Sequence, residues 1–136
     1  MPSRKIEDLV PAMQEKARAF AGAMAEAGVP FIFTCTRRTQ AEQDELFARG
    51  RTKPGPKVTW TRNSRHIDGE AFDICVCKDG VPQWDGKVDV DLDGVPDYFE
   101  AGQIGESCGL VWGGRFKRAD GTPTPDFPHF ELCGKT

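Results

Sequence analysis

The sequence predicts an α+β fold: one domain, residues 1–136, in which a small antiparallel sheet packs against helices. Three observations predict it. Apolar residues recur at three- and four-residue steps near the start, a helix-start signal stands at Thr39, and two short segments alternate apolar and polar residues, as half-buried strands do. A length of 136 residues suits one hydrophobic core, the commonest domains having about 100–150.

From Ser3 to Ala27 the helical spacing is carried by Ile6, Leu9, Val10, Met13, Ala17, Phe20, Ala21 and Met24, with Gly28 as the stop. Pro11 either kinks this helix or opens its main part at the first position, where a missing N–H does no harm. Val29 to Arg37 reads as a strand. Thr39 followed by Glu42 is a capping box, so a helix is expected over Gln40 to Arg49 with its end at Gly50. Residues 51–63 read as a loop. Ala71 to Cys77 and His129 to Leu132 read as strands in which Phe72, Ile74, Val76, Phe130 and Leu132 alternate with Asp73 and His129. The apolar set then faces the helices and leaves Asp73 and His129 together on the opposite, open face. Residues 115–128, with Pro123, Pro125 and Pro128, read as a loop into the last strand.

A net charge of −3 gives no electrostatic reason to bind nucleic acid. No apolar run approaches the roughly 20 residues of a membrane span, so no membrane insertion is expected. Met1 to Asp8 lacks the apolar run of a signal peptide, which makes the cytoplasm the expected place of synthesis. A monomer is expected. The five cysteines, Cys35, Cys75, Cys77, Cys108 and Cys133, are an odd number and read as reduced core residues; Cys75-Val76-Cys77 is a weak metal signal.

The two histidines of the chain each sit in a cluster of carboxylate and small residues. One cluster runs Ser64-Arg65-His66-Ile67-Asp68-Gly69-Glu70-Ala71-Phe72-Asp73, the other Asp126-Phe127-Pro128-His129-Phe130-Glu131. A catalytic zinc takes about three nitrogen or oxygen ligands and keeps one position for water, a count that His66, Asp73 and His129 meet. Taken singly, each histidine reads better as a hydrogen-bonded loop or strand residue; the metal reading rests on the two clusters together.

These two clusters, with Thr36-Arg37-Arg38-Thr39 and Glu42-Gln43, resemble the zinc peptidases that include D-alanyl-D-alanine carboxypeptidases, vancomycin-resistance dipeptidases and L-alanyl-D-glutamate peptidase endolysins of tailed phages. The resemblance runs from about Thr34 to Glu131, and the short chain is similar to the endolysin branch. It implies zinc on His66, Asp73 and His129, Asp126 as general base and Arg38 as the substrate-polarising arginine, with Arg37, Ser64 and Trp112 at the substrate. It also implies a peptidoglycan stem peptide as substrate and action on the cell wall after release from the host cytoplasm. Two positions depart from the pattern. The vancomycin-resistance relatives have Glu where Asp126 stands, and Arg37 replaces the usual aromatic, so either Arg37 or Arg38 can face the substrate. Glu131 is the alternative base or a partner of His129.

Asp89 to Glu100 matches the EF-hand calcium loop D-x-D-x-D-G-x5-E, with Asp89, Asp91, Asp93, Val95, Asp97 and Glu100 as ligands and Gly94 for the sharp turn. Turn residues from Gly80 to Gly86 leave no room for an entering helix, and Pro96 lacks the N–H that a paired hand would use. A lone calcium loop within the domain is expected, with an exiting helix through about Glu106, and calcium as a switch. Val111-Trp112-Gly113-Gly114 is similar to a cleft-lining segment of the same peptidases and reads equally as a core tryptophan and a turn. A dipeptidase or carboxypeptidase, or a non-catalytic wall-binding module around a structural zinc, are the other functions considered.

Overall fold

In the computed structural model, residues 3–55, 65–84, 87, 89 and 94–132 are described. The first helical pattern divides at Pro11. A 3-10 turn over Ile6–Asp8 precedes helix α1, Pro11–Ala27, which starts with the proline in its first turn, the second of the two expected outcomes. Gly28 ends it at φ 77, its N–H reaching the carbonyls of Met24 and Ala25. The face expected to be apolar is buried: Met13, Ala17, Phe20 and Met24 are fully enclosed. Each large side chain among them contributes about 1.5–3 kcal/mol by leaving water, more than the per-residue helix preferences of at most about 1 kcal/mol, so packing rather than propensity holds α1 in place.

Strand β1 covers Phe31–Cys35, shorter at both ends than its apolar pattern. Helix α2 covers Gln40–Ala48 and carries the expected capping box: Thr39 Oγ1 accepts from Glu42 N at 3.1 Å, and Glu42 Oε1 accepts from Thr39 N at 2.8 Å. Strand β2, Ala71–Lys78, is the spine of the sheet. It pairs with β1 on one side; on the other, its start pairs with β5, His129–Leu132, and its end with β3, Val81–Gln83. All these pairings are antiparallel, and β4, Leu110–Trp112, completes the order β1-β2-β5-β4.

Strand β3 was not expected, because Gly80 to Gly86 reads as turn residues. Its cause is the Asp79-Gly80 pair, both at positive φ (52° and 79°), which is the backbone a two-residue hairpin turn requires. Pro82 is tolerated because, among the described residues, β3 pairs only with β2, as an edge strand. Within the expected loop of residues 115–128, Lys117 and Pro123 bridge antiparallel, just after a 3-10 turn at Gly113–Arg115.

Helix α3, Asp97–Ser107, lies against β4 and β5 by way of two glycines one turn apart. A Cβ at Gly102 would come within 2.3 Å of the Trp112 ring, and one at Gly105 within 2.5 Å of the Phe130 ring. The core joins α1 to this sheet through Phe20, Phe72 and Phe130, with ring centroids 4.9–5.4 Å apart. Cys35, Cys75 and Cys77 are buried free thiols, as expected, whereas Cys108 at the end of α3 is only half-buried; Cys133 lies outside the described residues. Among the described residues no helix is long and apolar enough to cross a membrane.

Candidate metal centre

The antiparallel register sets Asp73 of β2 directly opposite His129 of β5, while Phe72 and Phe130 pair on the core side. His66 arrives from the turn at residues 65–69, which is pinned from both sides. The His66 carbonyl accepts from Arg38 N at 3.1 Å and Gly69 N at 3.2 Å, and Gly69 O accepts from Val10 N at 3.1 Å. Gly69 itself sits at φ 72, and a Cβ there would meet Val10 N at 3.2 Å.

Both imidazoles close on one carboxylate oxygen. Asp73 Oδ1 is 3.2 Å from His66 Nε2 and 3.1 Å from His129 Nδ1, and the rings stand 5.1 Å apart at 74°. The outer nitrogen of each ring has its own acceptor. His66 Nδ1 lies 3.2 Å from the Thr36 carbonyl and 3.6 Å from Cys35 Sγ, and His129 Nε2 lies 2.9 Å from Glu131 Oε1. With those outer nitrogens donating, the inner ones present lone pairs toward an anionic oxygen. That contact demands positive charge between them, either ring protons or a metal ion.

A zinc ion fits on these grounds. Bonds of about 2.0–2.1 Å place two ligand atoms of a tetrahedron roughly 3.3 Å apart, close to both nitrogen–oxygen distances, and an acceptor behind each ring is the usual support of a ligating histidine. Among the described residues, the ligand atoms that all lie within 4.8 Å of one another are those of Cys35, His66 and Asp73, with the His129 nitrogen farther from His66 than a shared ion requires. Without metal, the protons take that place. Burial, the largest single influence, works against a charged imidazole at both positions. The hydrogen bonds and charge of Asp73 outweigh it, helped by Cys35 at one ring and Glu131 at the other, and raise His66 to about 10 and His129 to about 9. Burial likewise opposes the charge on Asp73, yet the two imidazoles hold it far below the usual carboxylate range.

Asp126 and the arginines frame this centre. Asp126 is exposed at the rim and tied to the 3-10 turn, its N–H donating to Gly113 O at 2.8 Å and its carbonyl accepting from His129 N at 3.2 Å. Gly113 is there because nothing larger fits: a Cβ would lie 2.4 Å from Asp126 O and 3.0 Å from His129 Cβ. Desolvation of its carboxyl end, then the negative charge of Asp73, raise the Asp126 pKa, partly offset by His129, His66 and Arg38. Arg38 is half-buried and braced, Nη1 to Gln43 Oε1 at 2.6 Å and Nη2 to Cys35 Sγ at 3.5 Å, and its charge reaches Asp126. Arg37 is exposed. Both arginines line a cleft of about 410 Å³ with Ser3, Asp8, Thr39 and Ile67.

Trp112, a candidate for the cleft, packs elsewhere. It pairs with Phe130 in register, is 4% exposed, and donates from Nε1 to Phe127 O at 2.9 Å, on the core side of the sheet and away from His129. Its exposed neighbour Phe99 stacks edge-on against it. Ser64 lies outside the described residues, as do Asp91 and Asp93 of the acidic loop. Of that loop, Asp89 Oδ2 accepts from Gly94 N at 2.9 Å, Gly94 turns at φ 87, Val95 is exposed, and Asp97 and Glu100 occupy the first turn of α3, Asp97 fully buried.

Three residues at the centre escaped the sequence reading. Cys35 reads as core, yet a register shift between Phe33 and Cys35 sets it opposite Asp73, and its sulfur groups with His66 and Asp73 ligand atoms within 4.8 Å of one another. A β-bulge re-aims a side chain in this way, and nothing in Phe31-Ile32-Phe33-Thr34-Cys35 announces it. Gln43 is a fully buried amide on α2; its place in the Glu42-Gln43 segment of the resemblance is a signal, but one that gives it no role. Arg65, beside His66 in sequence, donates to Glu131.

Comparison with known proteins agrees with this geometry. Residues 58–132 match the model of the D-alanyl-D-alanine carboxypeptidase family, and the chain belongs to that family. Within it, the chain is similar to the peptidoglycan L-alanyl-D-glutamate endopeptidase CwlK of Bacillus subtilis, 38% identical over 128 residues, 92% of this chain and 74% of that one. The fold is shared with the L-Ala D-Glu endopeptidase ChiX of Serratia marcescens, with a TM-score of 0.70 at 22% identity over 97% of this chain and 88% of that one. It is shared also with a vancomycin-resistance D,D-pentapeptidase, VanY, in complex with Zn(II), with a TM-score of 0.61 at 17% identity over 93% and 73%.

Proposed function

We propose that this chain is a zinc-dependent L-alanyl-D-glutamate endopeptidase that cuts peptidoglycan stem peptides, in the manner of a phage endolysin. The observation that carries the reading is the meeting of His66 Nε2 and His129 Nδ1 at Asp73 Oδ1, in a chain 38% identical to an enzyme of that specificity.

His66, Asp73 and His129 would hold the metal. When bound, zinc polarises a carbonyl and lowers the pKa of a water toward ~7. Asp126 takes the proton of the attacking water as its oxygen bonds to the scissile carbonyl carbon, and returns it to the amine as the C–N bond breaks. A carboxylate raised above its ordinary range is the better proton carrier near neutral pH. Arg38 faces the developing oxyanion or a substrate carboxylate, a role that its bracing by Gln43 and Cys35 and its charge on Asp126 support over Arg37; Arg37 and Ser64 meet the peptide. Asp89 to Glu100 binds one calcium ion through Asp89, Asp91, Asp93, Val95, Asp97 and Glu100 and regulates activity on the cell wall.

Digestion of purified peptidoglycan, followed by mass spectrometry of the new termini, tests the reading: a new amino-terminal D-glutamate supports it. Release of terminal D-alanine instead would establish the carboxypeptidase reading, which the family match favours. Asp126→Ala is expected to keep zinc and lose at least about 100-fold in rate, the usual range for a missing general base being about 10²–10⁴. Wild-type rates in that variant would remove Asp126 from the role. A wall-binding module around a structural zinc needs a fourth protein ligand, and Cys35 is the residue placed to supply it. Full activity of Cys35→Ser with zinc bound disposes of that reading.

A further inference from the structure

Arg65 and Glu131 join the two chain segments that carry the imidazoles. Arg65 directly precedes His66 in the turn, and Glu131 follows His129 by two positions on β5, so its side chain shares the open face. Arg65 Nη1 donates to Glu131 Oε2 at 2.7 Å, and the other carboxylate oxygen, Oε1, lies 2.9 Å from His129 Nε2. Glu70 stands 3.9 Å from Arg65 Nη2 as a second anion. Only 22% of the Arg65 side chain and 18% of Glu131 remain exposed, so this pair escapes most of the solvent screening that leaves surface ion pairs with little effect.

The two imidazoles are therefore supported differently. His66 leans on a neutral carbonyl and a thiol, whereas His129 leans on a carboxylate that is itself held by a guanidinium. A carboxylate behind a ligating imidazole fixes its tautomer and raises its donor strength. We propose that Arg65 and Glu131 are positioning residues of the metal centre: Glu131 fixes His129 with Nδ1 toward Asp73 and makes it the stronger donor, and Arg65 fixes Glu131 while tying the His66 turn to β5. The inference rests on the metal-centre reading given above.

Zinc affinity decides it, measured by competition with a chromophoric chelator on the folded full-length chain, alongside kcat and KM. Glu131→Gln is expected to weaken zinc binding by about 10–100-fold, the usual consequence of losing such a partner, with KM for stem peptide unchanged in the zinc-saturated enzyme. Arg65→Ala should weaken zinc in the same direction by less, and Arg65→Lys should recover part of the loss, which a purely structural role would not produce. The double variant Arg65→Ala with Glu131→Gln should bind no more weakly than Glu131→Gln alone, because Arg65 acts through Glu131. Zinc dissociation constants of Glu131→Gln and Arg65→Ala within a factor of about two of wild type would overturn the proposal and leave the peptidase reading intact. A wild-type chain that takes up no zinc overturns both.

Discussion

At the scale of single residues, the metal-free centre is an electrostatic knot with a definite pH behaviour. His66 and His129 have their pKa values raised from about 6.5 to about 10 and about 9 because Asp73 stabilises the imidazolium forms against the cost of burial. A basic group whose folded pKa exceeds its unfolded one contributes stability that is complete below about 6.5 and is lost as pH rises through the folded value. Chelator-treated protein is therefore expected to show a thermal midpoint that declines between about pH 7 and pH 10, more steeply than in a His66→Gln variant. Zinc reverses the dependence. Ligating imidazoles must give up their protons, so binding gains strength with pH and releases about two protons at neutral pH, measurable by calorimetry in buffers of different ionisation enthalpy. Zinc uptake without proton release would show that the imidazoles are not the ligands.

At the scale of elements, the centre is only as well placed as the strands and helices behind it. Helix α3 reaches β5 because Gly102 and Gly105 leave no side chain between the helix and the rings of Trp112 and Phe130. Gly105→Ala gains about 1 kcal/mol of helix preference but drives a methyl to 2.5 Å from a fully buried ring, and overpacking of this kind costs about 1–3 kcal/mol or more. The cost wins. The expected result is a net loss of about 1–2 kcal/mol in denaturant unfolding together with weaker zinc binding, since Phe130 adjoins His129. Unchanged stability would mean that α3 is less closely seated than its contacts indicate. The features read correctly from sequence are those set by neighbours in the chain: the capping box at Thr39 and the alternation that faces Asp73 and His129 away from Phe72 and Phe130, with Pro11 opening α1 as one of two outcomes expected there. The features missed depend on distant partners. The bulge before Cys35 exists only against β2, and the buried Gln43 meets Arg38 across the turn between β1 and α2; Trp112, which reads equally as core and as cleft, takes the core where α3 offers it a glycine. Asp79-Gly80 is the exception, a local hairpin signal that was present and read as an ordinary turn.

At the scale of the whole molecule, α3 links the acidic loop to the metal centre. Its first turn supplies Asp97 and Glu100, and Tyr98, 1% exposed, donates to Gln83 O at 2.5 Å and accepts from Val76 N at 3.2 Å, locking the helix start to β2 and β3. Its later turns hold Trp112 and Phe130, the latter next to His129. A cation that orders the loop therefore stabilises the seat of β5. Lone calcium sites of extracellular modules bind at roughly 10⁻⁴–10⁻³ M, so roughly 10 mM calcium, at about 10–100 times the dissociation constant, adds about 1.4–2.7 kcal/mol to the folded state. For a domain of this size that is a rise on the order of 5–10 °C in thermal midpoint, with zinc held saturating throughout. Asp89→Asn and Glu100→Gln should each remove most of the rise while leaving zinc content at the wild-type level. The catalytic rate on peptidoglycan should follow the same calcium curve if the loop is a switch, and should stay flat while the midpoint climbs if calcium only stabilises. A midpoint indifferent to calcium would show that the loop holds no such ion.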